Sequence, residues 1–444
     1  MKKIIVLILG IFFLVSKGQD IAMDFPYFKG KSYDFVLFQG SEAKTVFQGT
    51  IPENGKFILH IPKEYAPYRG MSRWLITGSK EGGGLDLLIP GHSFSVSCSE
   101  EKPTDKNIIY TNNTEIPELN SLYKKEQAIF ARYGAMLQAT KSFSKTDKNY
   151  LIFEKEAQTQ VQAYGDYQGE LKKNKSYASG LINIINITQG IGTGLFEAEE
   201  EKAKNISDYI TRDLDWDALY TSGHWTEVIA SWADIHALVL EDPKSFAKDV
   251  ETVSSRIKNP AEYRDFAERL AVAFTRNGRD DFISAITPII RACGKISSFE
   301  GPLSVFVSAA VGMQAPDLDL RASGYKVLKS SSFSGKGYDK TLLLFYRSDC
   351  GPCEDLLKDL SGKYDMLKSR GVHIISVSGD QAESLFKEKG KELPWEDKYC
   401  DYKGFEGVNF RNYGISGTPT VFLIDGEGKI IERRASLTDI MGRL

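Results

Sequence analysis

The stretch Thr341-Leu342-Leu343-Leu344-Phe345-Tyr346-Arg347-Ser348-Asp349-Cys350-Gly351-Pro352-Cys353-Glu354 decides how this chain is read. Thr341 to Arg347 is a nearly continuous apolar run, the pattern of a strand buried on both faces. Glu354 to Arg370 then follows an amphipathic helical spacing. The C-x-x-C pair therefore opens a helix directly after a buried strand. The first turn of a helix carries unpaired N–H groups and a partial positive charge, which favour a thiolate over a thiol. Cys350 is expected to hold the exposed sulfur of lowered pKa. Cys353, further into the helix, is expected to be shielded, and Pro352 suits an early helical position. The spacing lets the two sulfurs open and close a small-loop disulfide. The competing use of these residues is a zinc site of Cys350, Cys353, Cys400 and His373. Its second half lacks ligand spacing, so neither a metal nor another cofactor is expected.

A second element lies downstream. Gly417-Thr418-Pro419-Thr420 precedes the apolar run Val421 to Ile424. A Pro between a turn Gly and a strand is a site for a cis peptide, and one is expected at Thr418-Pro419. It would leave the Thr418 backbone open to strand-like pairing with an incoming peptide. Thr418, Pro419, Gly351 and Pro352 are thus the expected substrate-binding residues around the Cys350–Cys353 dithiol.

Around these motifs, residues 312–444 alternate strands and helices, with Val372 to Ser378 a strand, Gln381 to Lys389 a helix, and Asp425-Gly426-Glu427-Gly428 a hairpin turn. Ala315-Pro316-Asp317-Leu318, Tyr346 to Glu354, Leu393-Pro394-Trp395 and Tyr413 through Asp425 together resemble the thioredoxin superfamily. The resemblance is to its exported, TlpA-like thiol-disulfide oxidoreductases, related to the AhpC/TSA enzymes. It implies a thioredoxin fold, Cys350 as nucleophile, Cys353 as resolving cysteine and Pro419 as the cis-Pro. The P-x-x-x-T-x-x-C pattern of a peroxidatic cysteine is absent around Cys350, which argues against peroxide reduction. Two departures stand out. Asp349 occupies a position where the family often has Trp, and its charge should resist ionisation of Cys350 unless Arg347 offsets it. Leu344 stands where thioredoxin carries a buried Asp, so the usual proton acceptor for the resolving cysteine is missing; Glu354 or a water is the available substitute. Gly-Pro between the cysteines resembles the reducing members.

The rest of the chain reads as three further pieces. Met1-Lys2-Lys3, the apolar run Ile4 to Val15 and Ser16-Lys17-Gly18 have the form of a cleaved secretory signal at 1–18. The apolar run spans only about 18 Å as a helix, too short for a bilayer core. Residues 19–112 carry short strands and the turn dipeptide Asn54-Gly55, which suggest an antiparallel β-sandwich. Gly49-Thr50-Ile51 and Asn54 to Phe57 resemble the β-domain that often precedes such modules in exported bacterial proteins. Residues 113–311 read as all-helical, with seven to nine helices and marked starts at Asp242-Pro243 and Asn259-Pro260-Ala261-Glu262. The expected fold class is multidomain α+β: β-sandwich, helical region, then an α/β thioredoxin fold over 312–444.

Composition agrees with a folded chain. The 444 residues have a formal charge of −3, 42% hydrophobic and 26% charged residues, which excludes disorder and a basic nucleic-acid binder. Five cysteines are too few for a disulfide-stapled scaffold. Cys98 and Cys293 are expected to be buried inert thiols, while Cys400 is open to a third redox role. The expected partners are protein disulfides or dithiols and an unidentified electron donor. No nucleic acid and no stable membrane span are expected once the leader is removed, and the location is the periplasm, cell envelope or medium. The alternative is a scaffold protein of the envelope whose thioredoxin module only docks partners.

Overall fold

The computed structural model describes residues 18–78, 83–307, 311–335, 337–415 and 417–442. Met1 to Lys17, and with them most of the expected leader, lie outside the described residues. Packing divides the chain into two compact units. One holds the segment up to Ala131 with Glu170–Ile182 and Thr221–Gly223; the other holds Arg132–Gly169, Asn183–Tyr220 and His224 onward.

The first unit is built on two four-stranded sheets. Their strands are β1 (Asp20–Asp24), β2 (Ser32–Gln39), β3 (Glu42–Thr50), β4 (Lys56–His60), β5 (Arg69–Thr77), β6 (Gly84–Pro90), β7 (Phe94–Ser97) and β8 (Ile109–Thr111). The orders are β4-β1-β7-β8 and β3-β2-β5-β6. All pairings are antiparallel except that of β1 with β7. Alternate residues Ile21, Met23, Tyr33, Phe35, Trp74, Ile76 and Val96 fill one core between the sheets, as a period-2 pattern requires. Within this unit α1 (Glu115–Ser142) starts with a buried carboxylate. Glu115 accepts N–H bonds from Tyr177 (3.2 Å) and Ala178 (2.8 Å) and pairs with Arg69 at 3.0 Å. It thereby satisfies orphan donors at the start of a later helix, Tyr177–Thr188.

Helices α2 (Tyr150–Lys173), α3 (Tyr177–Thr188), α4 (Glu199–Arg212), α5 (Trp216–Tyr220), α6 (Trp225–Ile235), α7 (Pro243–Arg256), α8 (Pro260–Arg276) and α9 (Asp280–Ala292) complete the helical stretch. Both marked starts are real caps. Asp242 accepts from the N–H groups of Lys244 and Ser245, and Asn259 from that of Ala261. In the second unit Trp225, Trp232, Phe246, Phe266, Phe274 and Phe282 are fully buried and form the aromatic centre of this layer.

Also in the second unit, five strands form one mixed sheet: β9 (Lys340–Tyr346), β10 (Val372–Ser378), β11 (Asp397–Cys400), β12 (Thr420–Asp425) and β13 (Ile430–Arg434), in the order β11-β10-β9-β12-β13. β9 lies at the centre, parallel to β10 and antiparallel to β12, and Thr341 to Tyr346 are buried on both faces. One face packs Leu342, Leu344, Cys353 and Leu356; the other packs Leu343, Phe345, Phe410 and Tyr413. The helices are α10 (Gly351–Gly362), α11 (Tyr364–Ser369), α12 (Glu383–Glu392), α13 (Val408–Asn412) and α14 (Thr438–Met441). This is the expected thioredoxin fold. The single helix expected over 354–370 is broken at Lys363, whose backbone leaves the helical region at ψ 1°. Among the described residues no helix is long and apolar enough to cross a membrane.

Candidate active site

Central strand β9 delivers the chain to the N-terminus of α10, where Cys350 is the N-cap residue. Cys350 and Cys353 are joined in a disulfide with Cα atoms 5.2 Å apart. The N–H of Cys353 donates to the Cys350 sulfur at 3.3 Å, so that sulfur takes a place usually held by a capping oxygen. Cys350 is half-buried and Cys353 wholly buried; Gly351 and Pro352 between them are exposed. The outer sulfur can be approached and the inner one cannot.

The second motif meets the first in space. The carbonyl oxygen of Thr418 lies 3.4 Å from the Cys350 sulfur. The Thr418-Pro419 peptide is cis, as expected, and Pro419 is buried while Thr418 is half-buried. Residues 68 positions apart in the chain thus present one backbone carbonyl and one sulfur side by side.

The flanking charges also fall where the sequence places them. Arg347 pairs with Asp349 at 2.5 Å. The carboxylate beside Cys350 therefore has a cation in contact with it. Leu344 is fully buried in the core that holds Cys353, so β9 puts no carboxylate beneath the sulfurs, and Glu354 points to solvent.

The residues proposed for a zinc site do not converge. Cys350 and Cys353 are bonded to each other. His373 contacts Asp397 through Nε2 (2.7 Å) and the Phe333 carbonyl through Nδ1 (2.5 Å). The Cys400 thiol donates to the Asp380 carbonyl at 3.3 Å. Burial pushes that thiol up to about 11, so Cys400 supplies no thiolate near neutral pH. Cys98 is buried as expected. Cys293 is only half-buried, because it caps the end of α9 where the helix meets solvent, and here the expectation of a buried thiol is corrected.

One participant escaped the reading of the sequence. Asp380, 2% exposed, accepts both the backbone N–H of Ser348 (2.8 Å) and its hydroxyl (2.5 Å). Its own N–H donates to Ser378 at 3.0 Å. A buried carboxylate at the end of β10 therefore pins the loop two residues before Cys350. The available signal was position: an acid directly after a buried strand, at the strand ends where α/β sheets place their sites.

Comparison with known proteins covers the same region. Residues 311–433 match the AhpC/TSA family. Thiol-disulfide oxidoreductase ResA of Bacillus thuringiensis is 28% identical over 142 residues, 32% of this chain and 79% of that one. Nucleoredoxin of Bos taurus is 36% identical over 118 residues, 26% of each chain. The thioredoxin domain of a thiol-disulfide oxidoreductase from Bacteroides vulgatus, a solved structure, is 26% identical. The match takes in 31% of this chain and 96% of that one, with a TM-score of 0.26. Residues 311–433 are a thioredoxin-superfamily, TlpA-like thiol-disulfide oxidoreductase module. The oxidoreductase module thus contains the disulfide, the cis-Pro and the Asp380 anchor. The β-strands of residues 20–111 are consistent with the N-terminal domain expected to accompany it.

Proposed function

We propose that this protein is an exported thiol-disulfide oxidoreductase that reduces or isomerises disulfides in other proteins, with Cys350 attacking and Cys353 resolving. The observation that carries the reading is the asymmetry of the pair. An approachable sulfur sits at a helix N-terminus, bonded to a fully buried one, beside the Thr418 carbonyl. In the reduced protein the Cys350 thiolate attacks one sulfur of a substrate disulfide. A mixed disulfide forms, and the other substrate sulfur leaves as a thiolate and takes a proton. Cys353, deprotonated, then attacks Cys350, closing the 350–353 disulfide and releasing the second substrate thiol. Two electrons pass from the dithiol to the substrate. An external dithiol donor must return them, and isomerisation needs none. Thr418 and Pro419, with Gly351 and Pro352, form the substrate-facing rim. Residues 312–444 carry the chemistry, and residues 19–112 and 113–311 select or place the partner. The leader at 1–18 supports a periplasmic, envelope or secreted location, where substrates with disulfides occur.

The test is reduction of insulin by a small dithiol with catalytic amounts of protein. Cys350→Ser should abolish turnover, and Cys353→Ser should accumulate a mixed disulfide that names the partner. Insulin reduction no faster than the dithiol achieves alone, and unchanged by Cys350→Ser, would show that the module only docks its partners.

A further inference from the structure

The helical layer contacts the chain at Arg411 and Gly414, a few residues before the cis-Pro. Gly414, four residues before Thr418, adopts a left-handed φ of 59°. A Cβ there would meet Ser304 Oγ at 2.6 Å and Val305 Cγ1 at 2.7 Å, so the backbone is pressed against the turn Gly301–Phe306. The Ser304 hydroxyl donates to the Arg411 carbonyl at 3.0 Å. Arg433 on β13 also donates through Nη2 to the Gly414 carbonyl at 3.1 Å. Arg433 is 3% exposed and lies over the Phe422 ring at 5.2 Å. Its counter-charge is Asp280, the first residue of α9, 5% exposed and 3.8 Å from Nε.

That pair is poorly arranged for stability. At 3.8 Å the carboxylate neutralises the guanidinium without a hydrogen bond. Arg433 Nη1 and Asp280 Oδ2 have no hydrogen-bond partner among the described residues. A buried, incompletely satisfied ion pair contributes little net stability, and apolar side chains of similar volume often do as well. What it does provide is one directed N–H aimed at Gly414. We infer that Asp280, through Arg433, and Ser304 are positioning residues by which the helical layer fixes the backbone at Gly414, and that this helps to set the Thr418-Pro419 peptide for binding the substrate. This rests on the oxidoreductase reading above and gives the helical region a defined part in it.

The experiment compares the full-length protein with Ser304→Ala and with the double variant Asp280→Leu/Arg433→Met, which keeps the buried volume and removes the donor to Gly414. Two disulfides are used: insulin, which must lie along Thr418, and a small aromatic disulfide, which need only reach Cys350. The double variant should raise KM for insulin about tenfold with kcat little changed, while the rate with the small disulfide stays within about twofold. Amide exchange at Gly414 and Ile415 should quicken alongside. Ser304→Ala should move the same quantities in the same direction by a smaller factor, which guards against a double variant that fails to fold. Equal losses on both substrates, or wild-type KM in both variants, would overturn the positioning role and leave the oxidoreductase standing. A wild type inactive on both disulfides would overturn the two readings together.

Discussion

At the scale of single residues the site is a matter of which polar atoms find partners. Asp380 is the clearest case, because one carboxylate holds both the N–H and the hydroxyl of Ser348. Asp380→Ala would leave the half-buried Ser348 N–H and hydroxyl without their acceptor, a loss of up to about 1–3 kcal/mol. Asp380→Asn keeps one acceptor oxygen and should recover part of it. Urea unfolding of the two variants checks this; equal stability for wild type and Asp380→Ala would remove Asp380 from the account. The cysteines and Pro419 were legible in the sequence because their chemistry is local. A C-x-x-C after an apolar run and a Pro after Gly-Thr carry their meaning within a few residues. Asp380 was not legible, because nothing near it in sequence announces that Ser348 will be its partner. The same holds for Arg433 and Asp280, which only tertiary packing buries together.

At the scale of elements, α8 shows how far local signals reach. Its start was readable from Asn259-Pro260, and Asn259 caps it. Glu262 reads as the far side of a capping box, yet packing buries it. Burial, with the charges of Asp217 and Asp215, pushes its carboxyl up to about 7. The native state therefore holds a proton that the unfolded chain, titrating near 4.5, gives up. Stability falls as pH rises from about 4.5 through 7, and the whole cost is felt above 7. Glu262→Gln should leave stability at pH 4.5 nearly unchanged and raise it at pH 8 by on the order of 2 kcal/mol. Urea melts at both values decide, and a variant equally shifted at both would exclude the ionisation. Strands β1, β8 and β11 were missed because each is a short segment, DIAMD, IYT and DKYC, too brief to establish a pattern. Their neighbours in the sheets, not their own propensity, make them strands.

At the scale of the whole molecule, burial sorts the five cysteines. In the reduced native protein a maleimide should label Cys350 at least about tenfold faster than Cys98, Cys353 or Cys400, with Cys293 between. Peptide mapping after brief labelling reads the order, and rapid labelling of Cys98 or Cys400 would contradict the packing described. Strand β1 has a consequence of another kind. It lies inside its sheet, hydrogen-bonded to β4 on one side and β7 on the other. Losing those five residues would not trim a margin; it would split the sheet down the middle. Two raw borders would then face each other, each ready to capture an extended segment from any passing chain. A protein engineered to begin a few residues too late would be expected to clump, while one begun at Gln19 would stay dispersed.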